Sequence, residues 1–142
     1  MEKEVSLLLP CPRGDDMAKE KILIVEDNQL NLELIVDILQ VRGYEIFTAT
    51  TGKESIELAK KAMPDLILMD MQLPVLDGYE ATRRIKRDPQ LKSIPIVALT
   101  AYAMKGDKER ILEAGCNGYI AKPIDTRKII KQIREFLEGG NR

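Results

Sequence analysis

The reading of this chain turns on Asp65-Leu66-Ile67-Leu68-Met69-Asp70-Met71-Gln72-Leu73-Pro74, continuing to Asp77-Gly78. The apolar run from Leu66 to Met69 is short enough for a strand and too uniform for one with a wet face, so it is read as a strand buried on both sides. Asp70 follows at its carboxyl end, which is where open α/β sheets hold ligands and reactive groups. Leu73-Pro74 and Asp77-Gly78 then carry the chain through a loop into a helix. A carboxylate in that place is a metal ligand, a nucleophile or a helix cap.

The flanking segments repeat the pattern. Lys21 to Val25 is a second β-branched apolar run and also ends in carboxylates, Glu26-Asp27. Leu30, Leu34, Ile35, Ile38 and Leu39 recur at helical spacing, and Gly43 is placed to end that helix. Tyr44 to Ala49 is more polar and alternating, as an edge strand is. Gly52 to Met63 reads as a second helix, with Ile56, Ala59 and Met63 on one face and Pro64 barring its continuation. A third helix is expected over Gly78 to Arg87, a strand over Ile94 to Leu99 ending at Thr100, and a thin-striped helix over Met104 to Ala114 closed by Gly115. Gly118 to Ala121 is a last strand, ending in Lys122-Pro123. The final helix opens near Asp125, ends at Gly139-Gly140 and sets Ile129, Ile130, Ile133, Phe136 and Leu137 on one face. Strands alternating with helices in this way predict an α/β protein, a doubly wound five-stranded parallel sheet with helices on both faces.

Length and composition narrow the function. The chain has 142 residues, which suits one domain, and 44% of them are hydrophobic, enough for a core. Its 22 basic and 23 acidic residues give a net charge of -1, so no global field draws nucleic acid or an anionic membrane. No apolar run approaches membrane-spanning length. Cys11 and Cys116 have no metal-ligand spacing and suggest reduced thiols in a cytoplasmic protein. Residues 1–18, with two prolines and Gly14-Asp15-Asp16, are expected to form a flexible leader, in which Met17 is a candidate start and Leu7 to Leu9 a candidate docking arm. Histidine is absent, which excludes Ser-His and Cys-His nucleophile pairs and a phosphohistidine on this chain.

In a parallel sheet all carboxyl ends lie on one edge, so Glu26, Asp27, Asp70, Thr100 and Lys122 should converge. Clustered carboxylates repel, and the usual remedies are proton sharing or a divalent cation. Hard oxygen ligands with open positions suit Mg2+. With such a cation beside it, Asp70 can attack phosphorus as a carboxylate nucleophile, with Lys122 neutralising charge and Thr100 hydrogen-bonding a phosphoryl oxygen. Taken singly, Lys122 is also readable as a solvated cation and Thr100 as an ordinary cap.

Val25-Glu26-Asp27-Asn28, Leu68 to Pro74 with Asp77-Gly78, Leu99-Thr100-Ala101 and Ala121-Lys122-Pro123 together resemble the motifs of response-regulator receiver domains of two-component signalling. The likeness runs from about Lys21 to Leu137. It implies a flavodoxin-like fold of strand order 2-1-3-4-5 and a receiver domain over residues 19–140 with no output domain. It further implies that Asp70 accepts a phosphoryl group from a phosphohistidine of a histidine kinase or phosphotransfer protein. Glu26, Asp27, Asp70 and the backbone carbonyl of Gln72 would then hold Mg2+, or Mn2+. The same resemblance makes Thr100 and Tyr119 a switch, makes the Lys122-Pro123 bond cis, and gives Gln72 and Tyr102 influence over phosphoryl lifetime. The signal would pass to a downstream protein target, from a monomer or weak dimer that takes part in its own phosphoryl transfer without being an enzyme in the wider sense. On the first helix, Leu32 and Val36 are expected to form an exposed pair that docks the donor. The basic outer side of the last helix, Arg127, Lys128, Lys131 and Arg134, is read as a solvated face.

Competing classes are weaker. An aspartyl phosphatase would usually place a second acid two residues after the nucleophile, where this chain has Gln72. A nucleotide or flavin protein would carry a Gly-rich loop after the first strand. A receiver piece of a hybrid kinase and a non-phosphorylated interaction module remain as alternatives, although the latter would be expected to have lost some of Asp27, Asp70, Thr100 and Lys122.

Overall fold

The computed structural model describes residues 20–73, 76–101 and 105–139. The expectations for residues 1–18, including Leu7 to Leu9, Cys11 and Met17, and those for Pro74, Tyr102 and Met104, lie outside the described residues.

Strands β1 (Lys21–Val25), β2 (Glu45–Ala49), β3 (Leu66–Asp70), β4 (Ile96–Thr100) and β5 (Gly118–Ala121) alternate with helices α1 (Gln29–Val41), α2 (Gly52–Ala62), α3 (Gly78–Arg87), α4 (Lys105–Ala114) and α5 (Ile129–Gly139). All strand pairs are parallel, in the order β2-β1-β3-β4-β5. Every residue of β3 and β4 is buried, as continuous apolar runs in a two-sided parallel sheet require.

Side-chain alternation divides the core into two layers. Leu23, Val25, Ile67, Met69, Ile96 and Ala98 pack against Ala59 of α2, Ala81 and Ile85 of α3, and Ile111 and Ala114 of α4. Ile22, Ile24, Leu66, Leu68, Val97, Leu99 and Ile120 pack on the other face, against Leu32, Ile35 and Leu39 of α1 and Ile129, Ile133 and Leu137 of α5. The predicted doubly wound sheet is thus the observed one.

Two helix faces differ from expectation. On α1, Leu32 is buried and Val36 packs against the core, whereas Leu30 is 77% and Leu34 38% exposed. Residues 32, 35, 36 and 39 follow the i, i+3, i+4, i+7 stripe that meets a flat sheet, while 30, 34 and 41 fall on the opposite side of the helix. Leu32 and Val36 therefore cannot be an exposed docking pair. On α2, Met63 does not join the core face: it is the C-cap, in the left-handed region at φ 49°, and its side chain is 45% exposed.

Helix starts are set by side-chain caps at the carboxyl edge of the sheet. Asn28, Thr51 and Asp77 accept from the amides of Asn31, Glu54 and Glu80 respectively. At the opposite edge Arg134 donates to both carboxylate oxygens of Glu20, at 3.0 and 3.2 Å, and to the Tyr44 hydroxyl at 3.0 Å, tying α5 to the entry of β1.

Candidate phosphoacceptor site

The carboxyl ends of β1, β3, β4 and β5 bring the predicted residues to one edge. Glu26 and Asp27 follow β1 directly, Asp70 is the last residue of β3, Thr100 the last of β4, and Lys122 follows β5. Carboxylate oxygens of Glu26, Asp27 and Asp70 lie within 4.8 Å of one another. Glu26 and Asp70 are buried and Asp27 is exposed, so the cluster opens to solvent on the Asp27 side.

The Lys122 ammonium sits against this cluster, 3.0 Å from Glu26 Oε1 and 3.4 Å from Asp70 Oδ2. It donates a hydrogen bond to Glu26 Oε2 at 3.4 Å, and Glu26 Oε1 accepts none among the described residues. The reading of Lys122 as a solvated cation is therefore set aside. Its backbone amide bonds the Thr100 carbonyl at 2.8 Å, which fixes β5 and the lysine relative to β4. The Lys122-Pro123 peptide is cis.

Backbone amides complete the electrostatics. Gln72 N–H donates to Asp70 Oδ1 at 3.0 Å, and Asn28 N–H donates to Glu26 Oε2 at 3.2 Å. Asn28 thus both caps α1 and steadies the acidic pair. Its type, an Asn immediately before a helical stripe, was the sequence signal for that role. Burial, followed by the hydrogen bond and charge of Asp70, pushes the Glu26 carboxyl up to about 7, and Lys122 only partly counters this.

One glycine holds the loop close. Gly78 N–H donates to Met71 O at 3.3 Å, and a Cβ at Gly78 would collide with the backbone of Asp70 and Met71. Only a residue without a side chain lets α3 begin against the end of β3.

Thr100 is buried beside Asp70, since Asp70 pairs with Leu99 in the β3–β4 register. Tyr119 lies back from the edge, second in β5 and opposite Ala98, half-buried against the core layer that includes α4, with Lys108 Nζ 5.3 Å from its ring centroid. Gln72 is exposed at the start of the loop.

The donor set fits a hard divalent cation. It consists of carboxylate oxygens with no thiolate or imidazole, two of them on buried residues, one of which burial and then the neighbouring Asp70 raise in pKa.

The chain is similar to known receivers. The family described as response regulator receiver domain matches residues 22–134. The polar-differentiation response regulator DivK of Brucella ovis is 47% identical over 118 residues, which is 83% of this chain and 96% of that protein. The receiver domain of a sensor histidine kinase from Pseudomonas aeruginosa, described with a magnesium ion coordinated in its active site cleft, is 40% identical, with a TM-score of 0.79 over 85% of this chain and 99% of that one. The receiver domain of the Saccharomyces cerevisiae response regulator Ssk1, solved with the histidine phosphotransfer protein Ypd1, gives 34% identity and a TM-score of 0.79 over 84% of this chain and 90% of that one. The chain belongs to the response regulator receiver domain family.

Proposed function

We propose that this receiver is a phosphoryl-accepting switch in which Asp70 is the acceptor. The observation that carries the reading is the ammonium of Lys122 placed 3.4 Å from Asp70 Oδ2 beside three carboxylates that share one sheet edge. An Asp70 oxygen forms a bond to phosphorus while the phosphorus–nitrogen bond of a donor phosphohistidine breaks, the electron pair returning to the imidazole, which takes up a proton. Attack of water on phosphorus later restores the carboxylate and releases inorganic phosphate. Lys122 balances the added charge, the Thr100 hydroxyl hydrogen-bonds a phosphoryl oxygen, and the Gln72 amide keeps its bond to Asp70 Oδ1. Glu26, Asp27, Asp70 and the Gln72 carbonyl would hold Mg2+, which when bound supplies the positive charge that lets an anionic donor approach an anionic acceptor. The chain is then a participant in its own modification rather than a catalyst acting on other substrates, and it works in the cytoplasm.

Readout passes to α4 and β5, through Thr100 at the site and Tyr119 on β5. The donor is a histidine kinase or a histidine phosphotransfer protein, in keeping with the complex of the yeast relative. The apolar residues α1 leaves exposed near the site, Leu30 and Leu34, are the docking contacts on this chain. A receiver attached to a sensor kinase is the second reading, favoured by the likeness to the kinase receiver.

The test uses a phosphotransfer protein carrying labelled phosphohistidine. Transfer of label to this chain, as an acyl phosphate labile in base, is expected. Retention of all label on the donors tried, while an unrelated receiver accepts it, would contradict the proposal.

A further inference from the structure

We infer that Gly52, the first residue of α2 and distant from the acidic cluster in sequence, is a positioning residue for Asp70, because the bare first turn of α2 is the seat of the loop that follows the phosphoacceptor. The inference rests on the receiver reading above and deepens it.

Gly52 is buried, and a Cβ there would collide with the carbonyl oxygen of Leu76 and lie 3.1 Å from Leu76 Cγ. Its backbone does not require glycine: it is helical, and the positive-φ glycines among the described residues are Gly43 and Gly115. Helix propensity alone would favour alanine. What glycine supplies at this place is room for another segment's backbone.

That segment is the loop between β3 and α3. At its start the Gln72 amide bonds Asp70 Oδ1 at 3.0 Å, and Met71 O accepts from Gly78. At its end Asp77 caps α3. Leu76 therefore lies one residue from the cap and four from the Gln72 backbone.

An added methyl at position 52 must displace either the loop or the helix end, and the helix end is the firmer of the two. Thr51 Oγ1 accepts from Glu54 N–H at 3.1 Å, while Glu54 Oε1 accepts from Thr50 N–H at 2.8 Å, a reciprocal cap. Ser55, with no exposed surface, donates its hydroxyl to Gly52 O at 2.5 Å. Leu76 yields instead, and its movement reaches Met71 through Asp77 and the Gly78 N–H that bonds Met71 O, and so the adjoining Gln72, whose amide holds Asp70 and whose carbonyl would join the cation site. A displacement of this order at a reacting group costs far more in rate than in stability.

The test compares Gly52→Ala with the parent, with Leu76→Ala as a second variant that loosens the same seat without overpacking it. Lys53→Ala, on the exposed side of the same turn, is the control. Three quantities are read: the affinity for Mg2+ by calorimetry, the phosphorylation rate with acetyl phosphate at saturating Mg2+, and the melting temperature in EDTA. Gly52→Ala is expected to lower both the affinity and the saturated rate by about tenfold or more. Its melting temperature in EDTA falls far less than a loss of fold requires. Leu76→Ala is expected to weaken Mg2+ binding in the same direction, and Lys53→Ala to stay within about twofold of the parent.

Gly52→Ala that binds Mg2+ and takes up phosphoryl within about twofold of the parent would overturn the inference. If Gly52→Ala fails to fold, parental affinity in Leu76→Ala would overturn it. A parent that neither binds Mg2+ nor is phosphorylated would remove the receiver chemistry, and this inference with it. The failure of the inference alone requires a parent that does both.

Discussion

Glu26 sets a pH dependence that can be worked from the site. Its side chain has no exposed surface, and burial together with Asp70 raises its pKa from 4.5 to about 7. Between those values the folded chain holds a proton that the unfolded chain has lost, so folding stability is fully present below pH 4.5 and falls as pH rises through about 7. At about 1.4 kcal/mol per unit, the destabilisation accumulated by pH 8 is of the order of 3 kcal/mol. Divalent cation binding needs the carboxylate, so below about pH 7 binding takes a proton off Glu26 and its affinity falls by up to about tenfold per unit. The perturbation is Glu26→Gln, which keeps the shape and removes the titration. Urea unfolding in EDTA is measured at pH 5.5 and pH 8 for parent and variant, because the difference between the two chains cancels the titrating groups that do not interact with Glu26. The parent is expected to lose about 2 kcal/mol more than Glu26→Gln on going to the higher pH. Equal losses, or a parent that gains relative to the variant, would refute the assignment of the raised carboxyl to Glu26.

Other perturbations separate the parts of the structure. Lys122→Met leaves Glu26 and Asp70 facing each other without their cation and is expected to destabilise the chain by about 2 kcal/mol in EDTA at pH 8, with saturating Mg2+ recovering part of the loss, as followed by thermal unfolding. Leu32→Ser is expected to cost about 2 to 4 kcal/mol because it opens the layer beneath α1. Leu30→Ser with Leu34→Ser, on the exposed side, should leave the urea midpoint almost unchanged while slowing transfer from the phosphohistidine donor. Arg134→Ala removes the partly exposed link to Glu20 and Tyr44 and is expected to cost about 1 kcal/mol without changing Mg2+ affinity, since it lies at the other edge of the sheet.

The parts legible in the sequence share a physical cause. Leu66 to Met69 and Lys21 to Val25 were readable because strands covered on both faces need uninterrupted apolar side chains, and the edge strand Glu45–Ala49 because it does not. Convergence of Glu26, Asp27, Asp70, Thr100 and Lys122 was readable because parallel strands present all their carboxyl ends to one edge. The orientation of α1 was not, because Leu30, Leu32, Leu34, Ile35, Val36, Ile38, Leu39 and Val41 surround much of the helix and periodicity alone does not select among them. Met63 was misplaced for a related reason: apolar type suggested core, and the left-handed cap turned it outward. The raised carboxyl of Glu26 and the contact of Leu76 on Gly52 depend on distances between segments far apart in the chain, which no local pattern encodes.

The most direct test of the central claim is intact-mass measurement after incubation with acetyl phosphate and Mg2+, run beside Asp70→Asn and an EDTA control. A single phosphoryl adduct that disappears in both controls is the predicted result. An adduct that persists in Asp70→Asn, or no adduct together with no binding of a beryllofluoride analogue, would contradict the account and leave the acidic edge as a surface for protein contact alone.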